Sequence, residues 1–72
     1  MKSIIAENVK QILKARGLKQ GAVGKLAGYD IKVFNNMLNS RKVITDIDVL
    51  KISKVLEVSP NVLFGIEDKK VV

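Results

Sequence analysis

Apolar residues recur along most of the chain at three- and four-residue intervals, the spacing that places them on one side of an α-helix. The clearest stripe is formed by Ile5, Val9, Ile12 and Leu13. It predicts a first helix over residues 4–16, with Ser3 as its N-cap and Gly17 as its stop. No pair of segments alternates between apolar and polar residues as paired strands do.

Two short helices are predicted next, over residues 20–27 and residues 31–39, with Asp30 as the N-cap of the second. Gly24 lies inside the first of them, where glycine costs about 1 kcal/mol relative to alanine. We therefore expect another helix to approach closely there. Gly28 is expected to end the same helix in the left-handed conformation. The positions assigned to the core are Ala22, Val23, Leu26 and Ala27, then Val33, Phe34, Met37 and Leu38.

A longer helix is predicted over residues 46–57, where Thr45 and Asp48 resemble a capping box. Its many apolar residues indicate the most buried helix of the chain. Ser59 as N-cap and Pro60 as first helical residue predict a fifth helix of one turn. The residues expected to face the core are Ile47, Val49, Leu50, Ile52, Val55 and Leu56, then Val62, Leu63 and Phe64.

The pattern thus predicts an all-α fold, a compact bundle of five short helices over residues 1–65 followed by a tail over residues 66–72. Seventy-two residues make one domain with one small core. The chain has no cysteine and no histidine, which excludes disulfides, zinc fingers and histidine-based catalysis. No apolar run approaches the roughly 20 residues of a membrane span. We expect a cytoplasmic protein without membrane, metal, cofactor or small-molecule partners.

The net charge of +6 is concentrated in one part of the chain. Residues 8–42 contain a single acid, Asp30, whereas residues 43–72 contain four basic and five acidic side chains. This distribution fits a surface that faces a polyanion, and a solvated lysine-rich surface is the alternative. The basic residues of the first segment are Lys10, Lys14, Arg16, Lys19, Lys25, Lys32, Arg41 and Lys42.

Only residues 28–30 join the two short helices, so the helices must cross steeply, as in a helix-turn-helix. That crossing needs a very small residue where the helices meet, a left-handed residue in the turn and a large apolar group one turn into the second helix. Gly24, Gly28 and Phe34 meet these requirements at suitable spacings. The sequence therefore predicts a helix-turn-helix whose second helix covers residues 31–39.

Motifs spread along residues 4–65 carry a family resemblance. They are Gly17-Leu18-Lys19-Gln20, Leu26, Gly28, Phe34, Asn39-Ser40-Arg41-Lys42 and Leu56-Glu57-Val58-Ser59-Pro60-Asn61-Val62-Leu63-Phe64. Together they resemble the Xre-type helix-turn-helix family of phage Cro proteins and repressors, and residues 34–42 are most similar to Cro-like regulators encoded in prophages. The resemblance implies a lambda-repressor-like bundle that binds operator DNA, usually as a dimer, and regulates transcription.

Two positions depart from the family pattern. Gly24 stands where the family usually has alanine, and Ser40 stands where it commonly has glycine. The second departure predicts a left-handed backbone at Asn39 or Ser40. The expected partners are a double-stranded DNA operator and a second copy of the chain, paired through the C-terminal surface of residues 58–72.

The resemblance also implies a set of DNA contacts. Gln20 matches a glutamine that contacts phosphate and braces the second, recognition helix. The exposed positions that would read bases are Ile31, Lys32, Asn35 and Asn36. Phosphate contacts are expected from Lys19, Gln20, Tyr29, Asn39, Arg41 and Lys42.

The chemistry of these side chains agrees with the resemblance. A carboxamide can both donate to and accept from adenine, so Asn35 and Asn36 are the best candidates for reading bases. Lys32 suits guanine acceptors or a phosphate, and Ile31 suits a thymine methyl group. A plainer role as solvated surface residues stays open for both asparagines.

Other functions stay open as well. No motif organises the acids and lysines for catalysis and so small a bundle leaves little room for a pocket, so we expect no enzymatic activity. A protein-interaction module on the same fold is the main alternative, and an antitoxin or an excision factor would keep DNA binding in another role. Plainer roles are a helix cap for Asp30, packing on the turn for Tyr29 and solvated charges for Lys10, Lys14, Lys51 and Lys54.

Overall fold

A computed structural model of the chain describes residues 3–66, which form five α-helices and no strand. This confirms the predicted all-α bundle of five helices. The predicted tail, apart from Ile66, lies outside the described residues. Among residues 3–66, no helix has the length and apolar character needed to cross a membrane. The helices are α1 (Ile4–Arg16), α2 (Gln20–Leu26), α3 (Ile31–Leu38), α4 (Asp46–Leu56) and α5 (Pro60–Phe64).

The core draws side chains from all five helices. α3 contributes most to it for its length, because Phe34, Met37 and Leu38 are all almost completely buried within eight residues. One face of this short helix is thereby held against the bundle and the opposite face is left in solvent. The remaining buried members of the cluster are Val9, Leu13, Val23, Val49, Ile52, Leu56 and Leu63.

Several apolar residues that were assigned to the core are exposed instead, so that part of the prediction was wrong. Leu26 is 75% exposed, because Ala22 and Leu26 each lie two residues, or about 200°, around the helix from the buried Gly24. The same offset separates Ile47 from Val49 and Leu50 from Ile52 in α4. In α5, only Leu63 of the three predicted residues is buried, and Val62 and Phe64 are exposed.

Every helix is followed by one residue with a positive φ angle. In each case the next amide N–H donates to the carbonyl five residues before it, at 2.8–3.0 Å, as in a Schellman motif. Of the two positions considered for the turn after α3, Ser40 is left-handed with φ 60° and Asn39 is not. The predicted ends of α2, α3 and α4 were one residue too late. The five left-handed residues are Gly17, Gly28, Ser40, Glu57 and Gly65.

The N- and C-terminal helices pack side by side. The Asn8 side-chain amide donates to the Leu63 carbonyl oxygen at 2.9 Å. A Cβ atom placed on Gly65 would lie 3.6 Å from Cγ2 of Ile4. The first turn of α1 therefore lies next to the end of α5.

Candidate nucleic-acid interface

α2 and α3 approach each other most closely at Gly24. A Cβ atom placed there would lie 2.7 Å from Cδ2 and 2.8 Å from Cγ of Phe34, closer than carbon atoms pack. The absent side chain therefore lets α2 lie directly against the Phe34 ring. Gly28, with φ +89°, reverses the chain between the helices, and the Tyr29 amide N–H donates to the Gly24 carbonyl at 2.8 Å. The predicted roles of Gly24, Gly28 and Phe34 in this turn agree with the structure.

The solvent face of α3 carries most of the residues that the sequence assigned to base readout. Ile31, Lys32 and Asn35 are exposed, and Asn36 is half-buried. Asn39 continues the same face directly after the helix, one turn beyond Asn35. This side of α3 is therefore polar apart from Ile31, and the core holds the opposite side.

A hydrogen-bonded network joins the start of α2 to this face. The Gln20 side-chain amide donates to the Asn35 carboxamide oxygen at 3.1 Å. The Asn39 side-chain amide donates to the Asn35 backbone oxygen at 3.0 Å and to its carboxamide oxygen at 3.1 Å. Gln20 thus links the start of α2 to α3, and its partner is the residue in the middle of the exposed face.

Tyr29 packs on the turn, the plainer of the two roles considered for it. Its ring stacks on Phe34 with centroids 5.8 Å apart, and the Lys51 ammonium lies 5.5 Å from the ring centroid. Its hydroxyl donates to the Asp48 carboxylate. A contact from Tyr29 to phosphate, the other role considered for it, would therefore have to replace the bond to Asp48.

The Tyr29–Asp48 bond changes the acidity of both groups. Burial, followed by the bond to Asp48, raises the pKa of the Tyr29 hydroxyl. Burial acts to raise the pKa of Asp48, but hydrogen bonds from Tyr29 and Thr45 outweigh it and hold that pKa below its ordinary value. Asp48 also completes the predicted capping box with Thr45.

Exposed basic side chains lie at the start and in the last turn of α2, on α3 and in the loop after α3. Within residues 3–66, the only ion pair joins Lys10 to Glu7, at 3.5 Å. The basic side chains of α2, α3 and the following loop therefore form no ion pair with an acidic residue among residues 3–66. They are Lys19, Lys25, Lys32, Arg41 and Lys42, all exposed.

Comparisons with protein families, with curated proteins and with solved structures found no match for this chain.

Three contacts escaped the sequence reasoning because they join distant parts of the chain. Arg16 donates to the Leu56 carbonyl, the Ser3 amide donates to the Ser40 hydroxyl at 3.0 Å, and Asn8 reaches Leu63. Only Ser3 carried a local signal, as the N-cap that it is. Asp30 also occupies its predicted N-cap position, but its side chain makes no capping hydrogen bond.

Proposed function

We propose that the protein binds duplex DNA sequence-specifically and acts as a Cro- or repressor-like transcriptional regulator, with α3 in the major groove. One observation carries the proposal: α3 buries Phe34, Met37 and Leu38 and turns a mostly polar side outward, and none of the exposed basic residues on or beside this helix forms an ion pair with an acid among residues 3–66. The major groove of B-DNA admits one α-helix, and amide and ammonium groups on such a helix can reach base edges.

Base contacts are assigned to the face of α3. Lys32 and Asn35 are exposed polar groups on it, and Ile31 offers an apolar surface to a thymine methyl group. Asn36 is half-buried but makes no side-chain hydrogen bond with any of residues 3–66, so its carboxamide is available to a base.

Phosphate contacts are assigned to the residues around this face. Lys19 and Gln20 lie at the start of α2, next to Asn35 through the Gln20 bond. Arg41 and Lys42 follow the left-handed Ser40 at the other end of α3. These groups would fix the orientation of the helix on the duplex and would read no base directly. Asn39 is assigned to the same set, but both hydrogens of its side-chain amide donate to Asn35, so a phosphate contact would replace one of these bonds.

A second copy of the chain belongs to the same proposal. One recognition helix covers only a few base pairs, too few for specificity within a genome. Two copies related by a two-fold axis would read half-sites about one helical turn, roughly 34 Å, apart. The exposed Val62, Phe64 and Ile66 at the C-terminal end of the described residues offer an apolar surface for pairing. Val71 and Val72, assigned to it from the sequence, lie outside those residues.

Titration of fluorescent duplex DNA at increasing salt tests the proposal. Each neutralised phosphate adds about 0.9 to the negative slope of log affinity against log salt, so we expect affinity to fall steeply towards physiological salt. Selection from a random duplex library should then enrich one half-site, repeated with two-fold symmetry. Affinity that does not respond to salt would contradict DNA as the partner. Equal affinity for one half-site and for the palindrome, with one chain bound to each, would contradict the dimer.

One observation favours the protein-interaction module. Ile47 and Leu50 are exposed one turn apart on α4, at 60% and 58%, and apolar residues on a helix face are typical of protein contacts. An Ile47→Ser, Leu50→Ser double variant separates the two functions, because DNA binding should not change in it. A loss of DNA affinity in a folded double variant would place α4 in the DNA contact instead.

A further inference from the structure

We infer that Asn35 acts on DNA only as a hydrogen-bond donor, so that it selects guanine and not adenine at its base pair. The inference rests on the proposed function and specifies how one side chain would discriminate between bases. From its residue type alone, Asn35 is expected to pair with adenine through one donated and one accepted bond. In the structure its carboxamide oxygen is already occupied by two donors, Gln20 and Asn39.

The direction of these bonds is set by a group that cannot rotate. The Asn35 backbone carbonyl can only accept, so the Asn39 atom 3.0 Å from it must be the amide nitrogen. The same nitrogen lies 3.1 Å from the Asn35 side chain, which must therefore present its oxygen to Asn39. Gln20, 3.1 Å from that oxygen, must then present its own amide nitrogen. One main-chain oxygen thus orients three carboxamides.

The Asn35 amide group is what remains for a ligand. No residue among 3–66 accepts a hydrogen bond from the Asn35 side-chain nitrogen, and the residue is exposed. Guanine presents two acceptors in the major groove, N7 and O6, which suit a donor. Adenine presents one acceptor beside an amino group, and that amino group would face the Asn35 amide with no oxygen available to accept from it.

Gln20 is therefore a positioning residue. It touches no base, but it holds the Asn35 oxygen towards α2 and so keeps the amide pointing outward. Gln20→Leu removes this donor at similar size and leaves Asn39 as the only constraint. Gln11→Leu on α1 is the matched control, because Gln11 is exposed and takes no part in the network.

The test is selection from a random duplex library with the full chain and with the Asn35→Asp, Gln20→Leu and Gln11→Leu variants. We expect the unmodified chain and Gln11→Leu to enrich guanine at one position of the half-site. Asn35→Asp presents only acceptors, so cytosine, which offers a donor, should replace guanine there. Gln20→Leu should lower the ratio of guanine to adenine by roughly two- to tenfold, the range for one net hydrogen bond. Circular dichroism confirms that each variant is folded.

The same selection distinguishes failure of the inference from failure of the proposed function. If the unmodified chain enriches a site in which Asn35→Asp changes no base preference, the inference is overturned and DNA recognition stands. Adenine at the position that responds to Asn35→Asp also overturns it. An Asn35→Ala variant is added for a titration of the selected site and of an unrelated duplex. An equal loss of affinity on both would assign the Asn35 donor to a phosphate, which also overturns the inference. If neither the unmodified chain nor any variant enriches a sequence, the proposed function itself fails.

Discussion

The Arg16 guanidinium donates to the Leu56 carbonyl oxygen at 2.6 Å, which joins the last turn of α1 to the last turn of α4. A cation at the C-terminal end of a helix is favourable, because the last carbonyls are unpaired and carry partial negative charge. We expect Arg16→Ala to lower the free energy of unfolding by about 0.5–1.5 kcal/mol, measured by urea denaturation. Lys14→Ala, in the same turn of α1 and exposed, is the control. Equal losses in the two variants would show that the bond does not stabilise the fold.

Gly24→Ala should destabilise the protein, although alanine is the better helix former. The added methyl group meets Cβ, Cγ and Cδ2 of Phe34 within 3.0 Å, and these atoms are held by a ring that is almost fully buried. We expect this overpacking to lower the free energy of unfolding by about 1–3 kcal/mol. Thermal melting measures it.

Gly21→Ala is the matched control in the same helix. There the methyl group meets only the end of the Ile31 side chain, at 3.0 Å, and Ile31 is 66% exposed and free to move. The higher helix propensity of alanine should then dominate, and the free energy of unfolding should rise by up to about 1 kcal/mol. If both variants shift the melting temperature in the same direction, Phe34 does not limit the space at position 24.

Glu57→Gly should stabilise the protein. Glu57 has φ 56° at the end of α4, a conformation that costs residues with a Cβ atom roughly 1 kcal/mol and glycine almost nothing. Part of this gain is lost to the greater freedom of glycine in the unfolded chain. We expect a net increase of about 0.5 kcal/mol in urea denaturation, and no increase for Glu57→Ala, which keeps the strain.

Ser40→Gly should stabilise the protein less than Glu57→Gly does. The two residues share the left-handed conformation, but the Ser40 hydroxyl also accepts a hydrogen bond from the Ser3 amide. The substitution removes strain and this bond together, so the two effects offset each other. A larger gain at position 40 than at position 57 would show that the bond to Ser3 contributes nothing.

The Tyr29–Asp48 bond should make stability depend on pH at both extremes. The pKa of Asp48 is lowered on folding, so its contribution is present above the ordinary pKa of 3.8 and is lost as pH falls below it. The pKa of Tyr29 is raised, so its contribution is present below the ordinary pKa of 10.0 and is lost as pH rises above it. Urea midpoints measured from pH 2 to pH 11 follow both the loss of stability at low pH, the acid limb, and the loss at high pH, the alkaline limb.

Tyr29→Phe separates the two limbs. It removes the alkaline limb entirely and only reduces the acid limb, because Thr45 still donates to Asp48. The stacked ring on Phe34 is kept, so packing changes little. An alkaline limb of unchanged size in Tyr29→Phe would assign it to other groups.

Lys42→Ala and Asn36→Ala should affect DNA binding in different ways. If Lys42 contacts phosphate as proposed, its loss should weaken binding to all sequences alike and lower the salt slope by about 1. If Asn36 contacts a base as proposed, its loss should cost about 1–3 kcal/mol of binding free energy on the selected site and relax preference at one base pair. Lys54→Ala on α4, away from this face, should do neither. If Lys54→Ala matches Lys42→Ala, net charge and not position determines the affinity.

Local signals predicted much of the fold. The glycines at positions 17, 28 and 65 mark helix ends by themselves, because only glycine adopts the left-handed conformation without cost. Glu57 gives no such signal, and its conformation follows from where the chain must go after α4. Leu26 and Leu50 are exposed because the sides of α2 and α4 on which they lie meet no neighbouring helix. The number of apolar residues in a helix does not show which side will be covered.

The candidate site was predictable to the level of residue positions. A helix face follows from spacing, so Ile31, Lys32 and Asn35 were assigned to the exposed side correctly. Hydrogen bonding was harder, since Tyr29 meets Asp48 and Gln20 meets Asn35 across 19 and 15 residues of chain. Those bonds decide which hydrogen-bonding groups remain for a ligand, and they depend on packing between helices.

Because α1 begins beside the end of α5, the helices could be connected in a different chain order and keep the same packing. Because Ile4 and Gly65 are neighbours, a short linker could join the start of α1 to the end of α5. The chain could be opened instead in the exposed loop at Val43. Such a circular permutant should keep its helical circular dichroism and a cooperative melt. It would begin next to the basic loop after α3, so a fluorophore on its new first residue would report DNA arriving at that face without altering any contacting side chain.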